Sequence, residues 1–210
     1  MKYSFIILLF FSTAVFSQTD VAQKKILRLG FIYGFSSQNT YIRQDSDYRY
    51  ENRIYKISAH FNLNKKTHHS WELLVEPSYY NSKHEAYNYW HEYFTSSENG
   101  NELRAKFMQL KSINEYVLNL GIIYRYVFNR ELSIYLLGNV GPMYIDTDTE
   151  RLKKGFAFSD IFAFGTNYKL NQFSFDAKSM IRHVSNANFK MPNYGINAVG
   201  FELGLYYEFN

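Results

Sequence analysis

The stretch Ala198-Val199-Gly200-Phe201-Glu202-Leu203-Gly204-Leu205-Tyr206-Tyr207-Glu208-Phe209 alternates strictly between two kinds of residue. In a β-strand successive side chains point to opposite faces. Val199, Phe201, Leu203, Leu205, Tyr207 and Phe209 therefore share one face, and Ala198, Gly200, Glu202, Gly204, Tyr206 and Glu208 the other. The first face is apolar; the second is mostly small or charged. A soluble barrel buries its apolar face, whereas a membrane barrel turns that face to lipid and fills a narrow polar lumen with side chains. Gly beside Glu suits the second arrangement. An aromatic residue one position from the end of an amphipathic last strand, here Phe209 before Asn210, also resembles the assembly signal of outer-membrane barrels.

The same pattern recurs upstream. Leu27, Leu29, Phe31, Tyr33 and Phe35 oppose Arg28, Gly30 and Gly34. Period-two segments at 25–37, 48–63, 69–80, 114–128, 131–145, 156–169, 171–185 and 196–209 predict eight strands. Short links fall at Asn64–His68, Asn129-Arg130 and Leu170. Long polar links fall at Gln38–Asp47, Asn81–Ile113, Asp146–Gly155 and Asn186–Gly195. Tight turns on one rim and long loops on the other predict an all-β, eight-stranded antiparallel transmembrane β-barrel. Glu72, Glu76, Arg125, Asp176 and Lys178 are expected in its interior. The sixth strand fits less well, because Phe158, Phe162 and Phe164 share a face with Asp160. A lipocalin-like soluble barrel, with the faces reversed, is the structural alternative.

Composition agrees. Of 210 residues, 20 are Tyr, 19 Phe and 2 Trp, too aromatic a chain for disorder. With 20% charged residues and a mean hydropathy of −0.36, a bundle of membrane helices is excluded. The absence of Cys removes disulfides, thiolate catalysis and Cys-based metal sites. Against 19 Asp and Glu, 23 Lys and Arg make too mild a bias for a nucleic-acid partner. One Lys, the apolar run Phe5–Phe11, and Val15 and Ser17 before Gln18 read as a secretory signal peptide over 1–17. Residues 18–210 then form a single barrel domain, exported to the outer membrane of a Gram-negative cell. An uncleaved anchor helix is disfavoured because the run is shorter than the roughly 20 apolar residues a span needs.

One constellation carries chemistry. In the seventh strand Phe173, Phe175, Ala177 and Ile181 form the lipid-facing set, and His183 and Ser185 are in phase with them. On the eighth strand Asn197 is in phase with the apolar face. Three polar groups thus point outward at the long-loop rim, where polar side chains cost free energy unless they have a task. A hydroxyl, an imidazole and a third polar group that orients the imidazole can attack an acyl carbon, and an Asn amide can fill the third role. Glu202 is an acid nearby in sequence but lies on the inward face. Against this stands the plainer reading that the strands have left the hydrocarbon there and that these are ordinary interfacial residues.

The stretch His183-x-Ser185-Asn186-Ala187, with Lys190, Pro192-Asn193-x-Gly195 and Gly200, resembles the signature of the PagL-type lipid A 3-O-deacylases, eight-stranded outer-membrane barrels. The resemblance implies ester hydrolysis of lipid A without a cofactor or metal, with His183 as general base and Ser185 as nucleophile. Asn186 and Asn193 match polar residues near the oxyanion site, and Gly195 and backbone N–H groups of the same loop are expected to help position substrate. The departure is Asn197, where that family has Glu. Outer-membrane phospholipase A is similar in its His-x-Ser-Asn motif and has Asn in the orienting role, which makes a phospholipase the alternative activity. A non-catalytic OmpA- or OmpX-like barrel and a soluble lipid carrier are the other classes.

Lys190, Arg151, Lys153 and Lys154 are candidate contacts for lipid A phosphates, with a solvated loop as the plainer reading of the last three. The expected partner is lipid A in the outer leaflet, with a homodimer left open. His68-His69, His84-Glu85 and His91-Glu92 lack the spacing of a zinc site and are expected on turn or loop surfaces. Tyr87, Tyr89, Trp90, Tyr93 and Phe94 are expected in an interfacial aromatic belt.

Overall fold

A computed structural model describes residues 26–38 and 46–209. The expected signal peptide, most of the first long loop and Asn210 lie outside the described residues. Eight strands follow one another: β1 (Ile26–Ser37), β2 (Tyr48–Lys65), β3 (His69–Ala86), β4 (Lys111–Val127), β5 (Leu132–Ile145), β6 (Gly155–Leu170), β7 (Phe173–Ser185) and β8 (Ile196–Glu208). They pair in sequence order into a closed ring. Its seam is antiparallel, from Arg28 opposite Glu208 to Ser37 opposite Val199. Closure leaves no unpaired strand edge, which a bilayer would penalise.

The faces are those of a membrane barrel. Phe31 is 55% exposed while Glu202 is fully buried. Leu29, Phe175, Ile181, Leu203 and Leu205 join the apolar outer wall.

Inside, polar groups excluded from water are stable only when paired, and they are arranged in tiers. Near the short-turn rim Glu72 Oε2 accepts from Arg28 at 2.9 Å and lies 2.8 Å from His60 Nδ1, while Oε1 accepts from Arg125 at 2.6 Å. At mid-barrel Lys56 bridges Glu76 and Glu202 at 2.8 Å each, and Lys178 bridges Glu202 at 2.8 Å and Glu76 at 3.6 Å. Gly34 makes room for this tier, because a Cβ there would lie 2.6 Å from Glu202 Cγ. Toward the long-loop rim Arg182 donates to Glu115 at 2.8 Å and to the Tyr50 hydroxyl at 2.9 Å, with its guanidinium 3.8 Å from the Tyr80 ring centroid.

Several expectations need correction. The third strand runs on to Ala86, because Ser82, His84 and Ala86 still face inward while Asn81, Lys83 and Glu85 lie on the other face. Hydrophobicity does not mark this segment, whose outward side chains carry no apolar stripe. His84 is therefore buried, against Glu150 at 3.4 Å, rather than on a loop surface. The long link after β3 contains two helices, α1 (Glu92–Thr95) and α2 (Gly100–Phe107). Phe94 departs from the expected aromatic belt: it is buried with Ala86 and Phe107, packed by Tyr93, Leu103 and Met108. Tyr87, Tyr89 and Trp90 remain exposed. His91 is buried as well, and its Nδ1 accepts from Tyr93 N–H at the start of α1. The β6–β7 turn sits at Asn171-Gln172 instead of Leu170, with Asn171 in the left-handed region that Asn tolerates.

Asp160 lies on the outer wall between buried Ser159 and Ile161. The phase that fitted less well in the sequence is thus real: an acid stands among lipid-facing phenylalanines.

Candidate active site

Near their long-loop ends β7 and β8 carry His183, Ser185 and Asn197. Register places His183 directly opposite Asn197 and Ser185 opposite Phe158 of β6. All three polar side chains alternate with buried neighbours, Arg182 and Val184 on β7 and Ile196 and Ala198 on β8, so they face the outer wall. Asn197 Oδ1 lies 2.8 Å from His183 Nδ1. An amide oxygen only accepts, so Nδ1 carries the ring proton and the Nε2 lone pair is left free. Ser185 is two residues along the same face, a Cα step of about 6.5–7 Å.

Asn197 is itself held, since its N–H donates to the Tyr48 hydroxyl at 3.3 Å. Over the Tyr48 ring lies the Arg151 guanidinium, 4.3 Å from the centroid. Arg151 Nε donates to Gly195 O at 2.7 Å, and Tyr194 N–H donates back to Arg151 O at 2.8 Å. The β5–β6 loop thus braces the β7–β8 loop, reinforced by the bridge between Leu152 and Asn193. Arg151 thus donates to the carbonyls of both Gly195 and Tyr194 in that loop. Lys153 pairs loosely with Asp148 at 3.7 Å, while Lys154 donates its backbone N–H to the same carboxylate. Lys190 Nζ lies over Gly155, 3.5 Å from where a Cβ would be.

Asn186 and Asn193 are brought together, yet their polar groups shape the loop. Asn186 N–H donates to Asn193 Oδ1 at 2.9 Å, Asn186 Nδ2 to Lys190 O at 2.7 Å, and Asn193 Nδ2 to Asn188 Oδ1 at 2.9 Å. Directly after Asn186, Ala187 and Asn188 adopt positive φ of 50° and 61°, which reverses the chain.

Gly195, at φ +70°, borders the imidazole: a Cβ would sit 2.9 Å from His183 Cε1 and 3.6 Å from Nε2. Gly195→Ala is therefore expected to displace the ring and lower turnover by about 10- to 10²-fold, as small misplacements of a reacting group do. Initial rates of ester hydrolysis, alongside an unchanged thermal unfolding of the barrel, check this.

Sequence reasoning missed two features around the site. Tyr194 stacks edge-on to His91 at 4.7 Å, so α1 supports the loop from above. Beside Ser185, Phe156, Phe158 and Phe189 form an aromatic patch with centroids 4.9 to 6.3 Å apart. Phe189 is exposed in the loop, and only the fold brings it to β6.

A family model described as lipid A 3-O-deacylase (PagL) matches residues 53–206. Among solved structures, the chain is similar to the outer membrane enzyme PagL at 12% identity and TM-score 0.51, covering 84% of this chain and 97% of that one. It is similar also to Neisserial surface protein A, at 12% identity and TM-score 0.50, covering 87% and 97%. At these identities the likenesses show the outer-membrane barrel fold. No protein of curated function matches the sequence.

Proposed function

The chain belongs to the PagL family of lipid A 3-O-deacylases, and we propose that it removes the ester-linked 3-O-acyl chain of lipid A with Ser185, His183 and Asn197 as its triad. The observation that carries this reading is the 2.8 Å contact between His183 Nδ1 and Asn197 Oδ1 on the lipid-facing wall, in phase with Ser185. It leaves Nε2 as the base.

Ser185 Oγ attacks the ester carbonyl while His183 Nε2 takes its proton. The same proton passes to the leaving alkoxide of the sugar, and an acyl-serine remains. Water, deprotonated by His183, attacks that ester and releases the fatty acid and Ser185. Asn197 keeps the ring in the required tautomer, although an amide stabilises the imidazolium less than the family's Glu does. The acyl chain lies along the wall against Phe156, Phe158 and Phe189. Lipid A phosphates stay at the rim, where Lys154 and Lys190 flank the start of β6. The Ala187 and Asn188 N–H groups, in the turn after Ser185, are the backbone donors best placed in sequence to meet the oxyanion. Residues 1–17 act in this scheme as a cleaved export signal.

Mass spectrometry of lipid A and phospholipids from outer membranes with and without the protein tests the proposal. Loss of one 3-linked acyl chain from lipid A is expected. Accumulation of lysophospholipid with intact lipid A would replace the reading by a phospholipase, the activity that an Asn in the orienting role also suits.

A further inference from the structure

We propose that Asp160 is a positioning residue of this site, supplying from β6 the negative charge that Asn197 on β8 cannot; the inference rests on the acyl-hydrolase reading. The register carries it. Asp160 is the direct cross-strand partner of His183, and His183 that of Asn197, so carboxylate, imidazole and amide form one row across β6, β7 and β8. Side chains so paired have Cβ atoms about 4.5–5.5 Å apart. Asp160 is exposed on the outer wall, and its neighbours along its own strand, Phe158 and Phe162, and across on β5, Val140, are apolar. Among the described residues of β4–β8 it is the one acidic side chain on the lipid-facing wall.

A carboxylate is costly on such a surface, so its placement opposite the imidazole of the site calls for a task. The amide of Asn197 fixes the ring's tautomer but brings no charge. When Ser185 gives up its proton the ring becomes cationic, and a carboxylate at the adjacent register lowers the energy of that state in a low-dielectric setting. Other charged groups near His183 are differently engaged. Arg182 on β7 points into the lumen and pairs with Glu115, Arg151 is bound to the carbonyls of the β7–β8 loop, and Lys190 lies over Gly155 at the rim.

The test compares wild type, Asp160→Asn, Asp160→Glu and the double variant Asp160→Asn/Asn197→Glu, folded in detergent micelles, with lipid A as substrate. Asp160→Asn is expected to lower kcat by about 10- to 10²-fold with KM little changed, the size of effect expected for a lost charge in a preorganised site. Asp160→Glu should retain most of the rate. Adding Asn197→Glu should bring Asp160→Asn back to within a few-fold of wild type, a rescue that a merely structural residue would not show. A second readout is the rate at which an alkyl fluorophosphonate modifies Ser185: the Ser185 oxygen forms the new bond to phosphorus, fluoride leaves, and His183 takes the proton. If lipid A is untouched but this modification slows in Asp160→Asn, the deacylase reading fails and the role of Asp160 stands. Equal rates for wild type and Asp160→Asn, or a loss that Asn197→Glu does not repair, overturn the role of Asp160 and leave the deacylase intact. No turnover and no modification in the wild-type protein overturn both.

Discussion

Ser185→Ala is expected to reduce lipid A deacylation by about 10³- to 10⁶-fold, the range seen when the nucleophile of a triad is removed. The removed atom is the one that would bond to the acyl carbon, and no other hydroxyl stands in phase with His183 at the end of β7. Water attacking directly would have to be placed without a covalent intermediate. The barrel should tolerate the change, because Ser185 is the last residue of β7, half-buried, and lies among loop and lipid-facing groups, outside the lumen tiers. Initial rates with purified lipid A measure the loss, and the heat-dependent shift in gel mobility of the folded barrel checks the fold. A variant that keeps wild-type rates would remove Ser185 from the mechanism. The aromatic patch of Phe156, Phe158 and Phe189 should still bind substrate, so Ser185→Ala ought to retain affinity for lipid A while losing turnover.

The second large effect lies in the lumen. Glu202→Gln is expected to destabilise the barrel by about 3–5 kcal/mol, the cost of stranding a buried charge. In the wild-type barrel Lys56 and Lys178 share Glu76 and Glu202, two cations against two anions with no access to water. Neutralising Glu202 leaves two ammonium groups facing one carboxylate. Balance can be restored from the other side: adding Lys178→Met leaves Lys56 with Glu76 and should recover most of the stability. That non-additivity separates charge pairing from simple packing at the site. Urea unfolding in micelles, followed by tryptophan fluorescence, reports both variants. Equal midpoints for wild type and Glu202→Gln would show that the tier is hydrated and not a set of desolvated pairs.

Much of this was legible in the order of residues alone. Strand count, the apolar outer face and the charged interior follow from period-two alternation, since a one-residue slip would reverse every side chain. Alternation also put His183, Ser185 and Asn197 on the outer wall, because phase within a strand is a local property. It could not say which residues meet across strands, for that depends on register around the whole ring. Asp160 illustrates this: in the sequence it spoiled the pattern of the sixth strand, and only the pairing of β6 with β7 makes it the partner of His183. The same holds for Arg151, which looked like a free cation in a polar loop until folding laid it on Tyr48 and the carbonyls of Tyr194 and Gly195. His84 and Phe94 were misread for a related reason. Above the apolar band the outer face need not be hydrophobic, so the strand extension and the small α1–α2 core leave no periodic trace. What the sequence determined by itself is the set of faces each strand presents, because backbone geometry fixes that residue by residue. The tertiary structure alone decided which of those faces touch, because closing eight strands into a ring sets every neighbour at once.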